Sequence, residues 1–341
     1  MFRWLALSAT LLLSACLFDE EPVVVKLSGE TMGTTYHVTA IGPDLDEAKL
    51  AAAVAETLTA VNGKMSNWDP KSEVSTFSAS DQTTPMPVSA DFVTILTAAN
   101  EVHQKSGGKF DVTLGPLIEL WGFGPRKPED PIPADDAIAA ALHGVGQTRL
   151  LTLNAGAGTI AKARPETGIN LSAIAKGFGV DAVARTIAGL GAESYLVEIG
   201  GDLVTKGNND KGEAWRIGIE RPDQGAQSIQ LVVPVSDHGM ATSGDYRNYF
   251  EHEGRRYSHI LDPVTGRPVT HRTTSVTVIA DTAMMADAWA TAMLVLGLDA
   301  GLKVAEANNL AVFFIERDVQ GGDDAYMTAQ SSAFADLLNT D

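Results

Sequence analysis

The sequence predicts an α+β protein folded as a single domain, on three observations. Apolar residues recur at helical spacing in several segments, as Leu50, Val54, Leu58 and Val61 do. Short β-branched runs bounded by turn residues accompany them, among them 215–220 and 229–235. No repeat, low-complexity tract or long linker divides the chain, and 45% of its residues are apolar, ample for a sizeable core.

In chain order, 23–27 and 34–41 read as neighbouring strands, with Met32 and Gly33 between them. A helix follows over 45–61, then a loop with turn chemistry, Met65-Ser66-Asn67-Trp68-Asp69-Pro70. Ser89 is placed to cap a second helix with Phe92, Ile95, Leu96, Ala99 and Val102 as its stripe, ending at Gly107-Gly108. Residues 107–124 are glycine-rich and aromatic, with Asp111 in an otherwise strand-like run. They suit either close approach of backbone to a ligand or an irregular cover over the core. The proline-rich stretch 125–133 reads as a surface loop. A short helix over 133–142 and strands over 149–153 and 159–163 come next.

The stretch 167–202 is the centre of the chain. Asn170 or Ser172 is a plausible N-cap for an Ala-rich helix carrying Ile174, Phe178, Val183, Ile187 and Leu190 at roughly helical spacing. Gly189 and Gly191 punctuate its end, and 195–199 reads as a buried strand. A helix N-terminus with Lys176 one turn in suits a phosphate, although an ordinary surface helix with an exposed lysine has the same pattern. Gly177, Gly179 and Ala182 fit G-x-G-x-x-A, with Glu198 about 20 residues on, but the Ser-Ala-Ile-Ala-Lys before them is not the strand a Rossmann turn requires. No P-loop pattern occurs at Lys176.

Farther on, Asp262-Pro263-Val264-Thr265-Gly266 is a tight turn that presents His259 on the strand entering it. Residues 274–280 form a strand, and 284–296 a helix of nearly pure apolar character that contains Asp287. An isolated buried carboxylate is too costly, so Asp287 must be paired, hydrogen-bonded or on a metal. Thr291 lies one turn on, and an acid plus a hydroxyl without cysteine or paired histidine suits a hard cation such as Mg²⁺. The blander reading has Asp287 favour its helix N-terminus and contact a lysine. A helix over 301–307 and a strand over 310–315 close the fold.

The net charge of −18 argues against nucleic acid and requires that an anionic ligand be neutralised locally. Residues 1–15 read as a targeting segment, with Arg3 before an apolar run too short to span a membrane. Leu13-Ser14-Ala15-Cys16 looks like a bacterial lipobox, and Cys16 is the only cysteine, which excludes an intramolecular disulfide. On that resemblance Cys16 is lipidated, 16–26 is the lipidated N-terminus and linker, and Leu17-Phe18 after it favours the outer over the inner membrane. A cleaved signal without a lipid is the alternative.

Ten segments together, spanning roughly 27–315, resemble the ApbE family of FAD:protein FMN transferases. They are Thr31-Met32-Gly33-Thr34, the 65–77 loop, Gly108-x-Phe110-Asp111-Val112-Thr113, Gly115-Pro116-Leu117 and Trp121-Gly122-Phe123-Gly124. Then follow 171–177 with 198–202, Thr242-Ser243-Gly244-Asp245-Tyr246, 258–266, and Asp287-Ala288-x-Ala290-Thr291. The resemblance implies one α+β domain over 27–335, with antiparallel sheets, flanking helices and an FAD cleft between two lobes. It implies that Met32, Trp68 (a tyrosine in many members), Lys109, Phe110, Asp111, Asn170, Lys176 and Ile260 line the FAD site. Ala173 through its carbonyl, Asp287 and Thr291, with Ala290 alongside, would hold Mg²⁺ against the pyrophosphate. Asn170 stands where the family usually has aspartate, so that contact carries no charge.

The implied reaction is Mg²⁺-dependent transfer of FMN from FAD to a Thr or Ser hydroxyl of an acceptor protein, with release of AMP. FAD hydrolysis and non-catalytic flavin binding in the periplasm are the alternatives. A general base would assist the hydroxyl, and His259 is the residue placed for it. The implied acceptors are flavoprotein subunits of Na⁺-translocating NADH:quinone reductase or Rnf-type complexes, met on the periplasmic side by a lipid-anchored enzyme.

Overall fold

The structure, a computed structural model, describes residues 21–123, 131–222, 228–245, 249–253, 255–318, 320 and 325–339. Residues 1–15, the lipobox with Cys16, Gly124 of the Trp-Gly-Phe-Gly motif, most of the 125–133 loop and Tyr246 lie outside the described residues.

Eight strands make one sheet whose spatial order follows the chain. They are β1 (Val23–Thr31), β2 (Thr34–Gly42), β3 (Ser194–Ile199), β4 (Asp202–Lys206), β5 (Gly239–Gly244), β6 (Thr273–Ala280), β7 (Ala311–Arg317) and β8 (Tyr326–Gln330). Every neighbouring pair is antiparallel. Two-residue turns join β1 to β2 and β3 to β4. Met32 and Gly33 have φ of 52° and 76°, and Gly200 and Gly201 have 59° and 96°. Positive φ at both central positions suits the right-handed twist of the flanking strands. Because Tyr36 pairs with Ile199, the two turns lie side by side at one end of the sheet.

The nine helices of the described residues are α1 (Glu47–Met65), α2 (Glu73–Ala79), α3 (Ala90–Lys105), α4 (Gly115–Trp121), α5 (Asp135–Leu142), α6 (Gln147–Leu150), α7 (Ala175–Ala188), α8 (Ala283–Ala307) and α9 (Ser332–Leu338). The first seven sit between β2 and β3, with a three-stranded sheet of Met86–Pro87, Leu151–Asn154 and Thr159–Lys162. Within this insertion α1 and α7 pack directly on the main sheet, Leu50 and Val54 of α1 and Val180 and Val183 of α7 sharing a core with Val25, Val38 and Val197. Residues between β5 and β6 add two antiparallel pairs, Tyr249–His252 with Arg255–Ser258 and Leu261–Asp262 with Arg267–Pro268.

Helices cover both faces of the main sheet, so β6 is buried along nearly its whole length rather than alternating with solvent. Val276 and Val278 face α8 and α3, while Ile279 joins the core with Phe313 and Phe334 of α9 on the other side. Helix α8 is long and apolar enough to cross a membrane, yet here it is a core helix broken at Gly297, where φ is 71°. The break matches the two helices that the sequence predicts there.

Other expectations need correction. Residues 107–114 form no strand, and 115–121 turn into α4. Neither Asn170 nor Ser172 caps α7, since its N-cap is Ile174, which offers no side-chain bond. The Asn170 side chain instead accepts from the Ser172 amide at 3.0 Å. The Rossmann pattern fails as its context suggested, because Gly177 and Gly179 are interior to α7 and the sheet is antiparallel. Helix α7 is not a surface helix, for nine of its residues are buried.

Candidate functional site

The inserted segment, the β1–β2 turn and His259 bound a cleft with two adjoining cavities of about 590 Å³ each. One is lined by Met32, Gly33, Met65, Ala175 and Lys176, the other by Ile118, Phe123, Ile169, Asn170 and His259, and Asn67, Trp68 and Ser172 belong to both. Trp68 is 85% exposed at their junction, so its indole offers a flat surface to whatever enters. Asn67 fixes the wall beneath it, donating to the Ile169 carbonyl at 2.7 Å and accepting from the Leu171 amide at 2.8 Å.

At the floor of the first cavity lies a charged cluster. Lys176 on the first turn of α7 is ion-paired with Asp202 at the start of β4, and its Nζ is 3.7 Å from Asp287 on α8. Asp202 and Asp287 are 2% and 3% exposed. Asp287 Oδ2 accepts from the Gly177 amide at 3.0 Å, so the acid of α8 satisfies a free N–H of α7. Burial, then the Asp287 charge, pushes Asp202 up to about 7, against the pull of Lys176. Burial also opposes the Lys176 ammonium, but Asp287 and Asp202 outweigh it and hold its pKa above the ordinary lysine value.

Two buried carboxylates against one ammonium leave an excess negative charge, which a cation would relieve. Beside them the Thr291 hydroxyl is 3.2 Å from that of Ser243 on β5. Among the described residues no three His, Cys, Asp or Glu side chains stand together as a metal site. The donors that remain are carboxylate, hydroxyl and backbone oxygen. That set fits Mg²⁺, which characteristically takes one or two carboxylates and completes its shell from water and substrate phosphates. Ala173 lies in the turn just before α7, and Ala290 is fully buried beside Thr291.

The structure therefore brings Met32, Trp68, Asn170, Lys176 and His259 to one cleft, with Asp287 and Thr291 behind it. It does not place every predicted residue there. Phe110 and Ile260 are core side chains beneath the cleft. Asp111 closes its own loop, accepting from the amides of Thr113 at 2.7 Å and Gln147 at 2.8 Å. Lys109 donates to both oxygens of Asp262 at 2.8–2.9 Å and lines a separate cavity of about 520 Å³. His259 stands in a bend one residue past its strand, half-buried, with Phe123 edge-on at 6.4 Å.

Asp202, Asn67 and Ser243 lie in motifs that the sequence marks without assigning them a role, and Asp181 lies outside those motifs. The pattern that marks Asp287, an acid in an apolar helix, marks Asp181 of α7 equally. Asp181 is 8% exposed and pushed up to about 6 by burial, against hydrogen bonds from Met284 and Ala283.

Comparison with known proteins finds relatives over nearly the whole chain. A relative from Haemophilus influenzae named FAD:protein FMN transferase is 42% identical, covering 98% of this chain and 97% of its own length. The solved flavin transferase ApbE from Vibrio cholerae superposes with a TM-score of 0.83 at 40% identity, covering 93% of this chain and all of that one. The apo flavinyl transferase ApbE from Pseudomonas stutzeri gives 0.82 at 36% identity, over 94% and 98% of the two chains. The ApbE family model matches residues 32–314, and the chain belongs to the ApbE family.

Proposed function

We propose that this chain transfers FMN from FAD to a Thr or Ser hydroxyl of an acceptor protein, with Mg²⁺ bound by Asp287 and Thr291. That it is a flavin transferase, acting from FAD on a protein, follows from its family and from relatives of that name over nearly their full length. The observation that carries the finer reading is the Asp202–Lys176–Asp287 cluster, whose excess negative charge opens onto the cleft through Lys176.

Phosphoryl transfer needs positioning and charge neutralisation more than covalent help from the protein. When bound, the metal would neutralise charge on the bridging oxygen of the pyrophosphate. Asp287 and Thr291, with the Ala173 carbonyl, would supply its oxygens, and Lys176 is a fixed cation held by Asp202 and Asp287. Met32 and Trp68 wall the cleft against the aromatic parts of FAD, and Asn170 offers an uncharged amide. His259 accepts the proton of the acceptor hydroxyl as its oxygen bonds to the FMN phosphorus. The phosphorus–oxygen bond to AMP breaks in the same displacement. Attachment to the outer membrane through Cys16 would hold this chemistry on the periplasmic side, where flavoprotein subunits of Na⁺-translocating NADH:quinone reductase or Rnf-type complexes are the acceptors.

Incubation with FAD, Mg²⁺ and such a subunit, followed by mass spectrometry, should add one FMN to a Thr or Ser of the acceptor and release AMP. FMN and AMP in solution with an unmodified acceptor would replace transfer by FAD hydrolysis.

A further inference from the structure

Helices α7 and α8 cap one another. The first free amides of α8, at Ala283 and Met284, donate to the two carboxylate oxygens of Asp181 on α7, each at 2.9 Å. In return Asp287 of α8 accepts from the Gly177 amide at the start of α7. Gly177 and Asp181 are one turn apart on α7, as Ala283 and Asp287 are on α8, so each helix offers the other one amide end and one acid. Thr282 takes the next amide of α8, at Met285, and its backbone carbonyl receives the Ala286 amide. Helix α7 has no side-chain cap of its own.

The contact has little slack. A Cβ on Gly177 would collide with the Ala283 carbonyl, and one on Gly239 of β5 with the backbone of Thr282 and Ala283. The start of α8 is thereby held between α7 and the sheet, and the register of the crossing is set by the two acid–amide links. In that register Asp287 stands 3.7 Å from the Lys176 ammonium.

We infer that Asp181 is a positioning residue for the reaction: by gripping the first turn of α8 it sets where Asp287 stands relative to Lys176, Asp202 and the bound cation. Its carboxylate is turned to α8 and lines neither cleft cavity. The consequence for the cation rests on the proposed Mg²⁺ reading, whereas the coupling of Asp181 to the Gly177–Asp287 link does not.

The test compares wild type, Asp181→Asn, Asp181→Ala and a remote destabilised control, Phe334→Leu in α9, with unfolding midpoints recorded for all. In Asp181→Asn the side-chain amide NH2, a donor, must face one backbone N–H of α8, and in Asp181→Ala both bonds are lost. Amide exchange at Gly177 should speed up at least tenfold in Asp181→Asn and more in Asp181→Ala, and stay near wild type in the control. The Mg²⁺ concentration giving half of the thermal shift, measured without FAD, should rise about tenfold in the Asp181 variants alone. FAD affinity without metal should stay within about twofold, and turnover should recover substantially at saturating Mg²⁺. If Gly177 exchange in the Asp181 variants matches that of the control, the inference is overturned. It is overturned equally if their midpoint falls with no change in Mg²⁺ half-saturation. A wild type whose stability ignores Mg²⁺ would instead sink the metal reading, leaving Gly177 exchange to decide the role of Asp181. Should Asp181→Ala not fold, Asp181→Asn alone decides, since it keeps the shape of the native side chain.

Discussion

The charge count around Lys176 ranks two substitutions within the cluster. Replacing Asp287 by alanine leaves Lys176 and Asp202 as a balanced pair, so the fold should survive with the loss of one helix-capping bond, about 0.5–2 kcal/mol. Metal-dependent turnover should nevertheless fall by about 10²–10³-fold or more, because a preorganised charge at the pyrophosphate is gone. Lys176→Met leaves two buried carboxylates facing each other and should lower stability more than Asp287→Ala does. Urea unfolding beside a Mg²⁺ titration of both variants checks the ranking, and equal stability for the two would contradict the charge argument. In the proposed mechanism His259 acts at the other end of the cleft. His259→Ala should still bind FAD near normally but transfer FMN about 10²–10⁴-fold more slowly, with a residual rate that rises with pH. A histidine that merely holds the bend would instead lose FAD affinity and melting temperature together, and undiminished transfer would remove it from the mechanism.

At the scale of elements, two glycines within helices should respond oppositely to alanine. Gly63 in α1 has open space where a Cβ would go, so Gly63→Ala should stabilise by about 0.5–1 kcal/mol. Gly177→Ala drives a methyl into the backbone of α8 and should cost about 1–3 kcal/mol or more, with loss of Mg²⁺ dependence. Unfolding curves for both are the measurement, and a harmless Gly177→Ala would mean that the two helices cross less tightly than their backbone contact requires. The same contrast explains what was legible in the sequence. Helices α1, α3 and α8 announce themselves through apolar stripes, and Ser89 caps α3 as its position suggests, accepting from the Phe92 amide at 3.2 Å. The start of α7 is not legible locally, because its cap comes from Asp287, 110 residues away, and no local pattern contains that partner. Helix α2 has seven residues, with only Val74 and Phe77 buried, too few to display a period. Asp287 stands out as a charge among apolar neighbours. Asp202 does not, since an acid after two turn glycines is ordinary turn chemistry until the sheet is seen to bury it. Of the residues that family resemblance groups around FAD, Trp68 and Asn170 line one cleft, while Phe110 and Ile260 are core side chains.

For the molecule as a whole, a net charge of −18 coexists with two acids whose pKa the fold raises. Asp181 is raised to about 6 and Asp202 to about 7, each first by burial, from an ordinary value of 3.8. An acid whose folded pKa lies above its unfolded one contributes stability that is fully present below the unfolded value and lost as pH rises through the folded one. The metal-free protein should therefore lose stability between pH 5 and 8, in the window where these two groups ionise. Lys176 does not oppose the trend, because its raised pKa keeps it charged in both states across that range. Growing self-repulsion of an already acidic chain acts in the same direction. A divalent cation beside Asp287 reverses the sign for Asp202, since the metal favours the ionised carboxylate that burial disfavours. Melting temperatures from pH 5 to 8 should thus fall without metal, and the gain on adding millimolar Mg²⁺ should be larger at pH 8 than at pH 5. The same series on Asp287→Ala should show a shallower metal-free decline, because the carboxylate that helps raise Asp202 is absent, and little Mg²⁺ gain at any pH. A metal-free wild type whose melting temperature climbs from pH 5 to 8 would contradict the buried-acid account of this site.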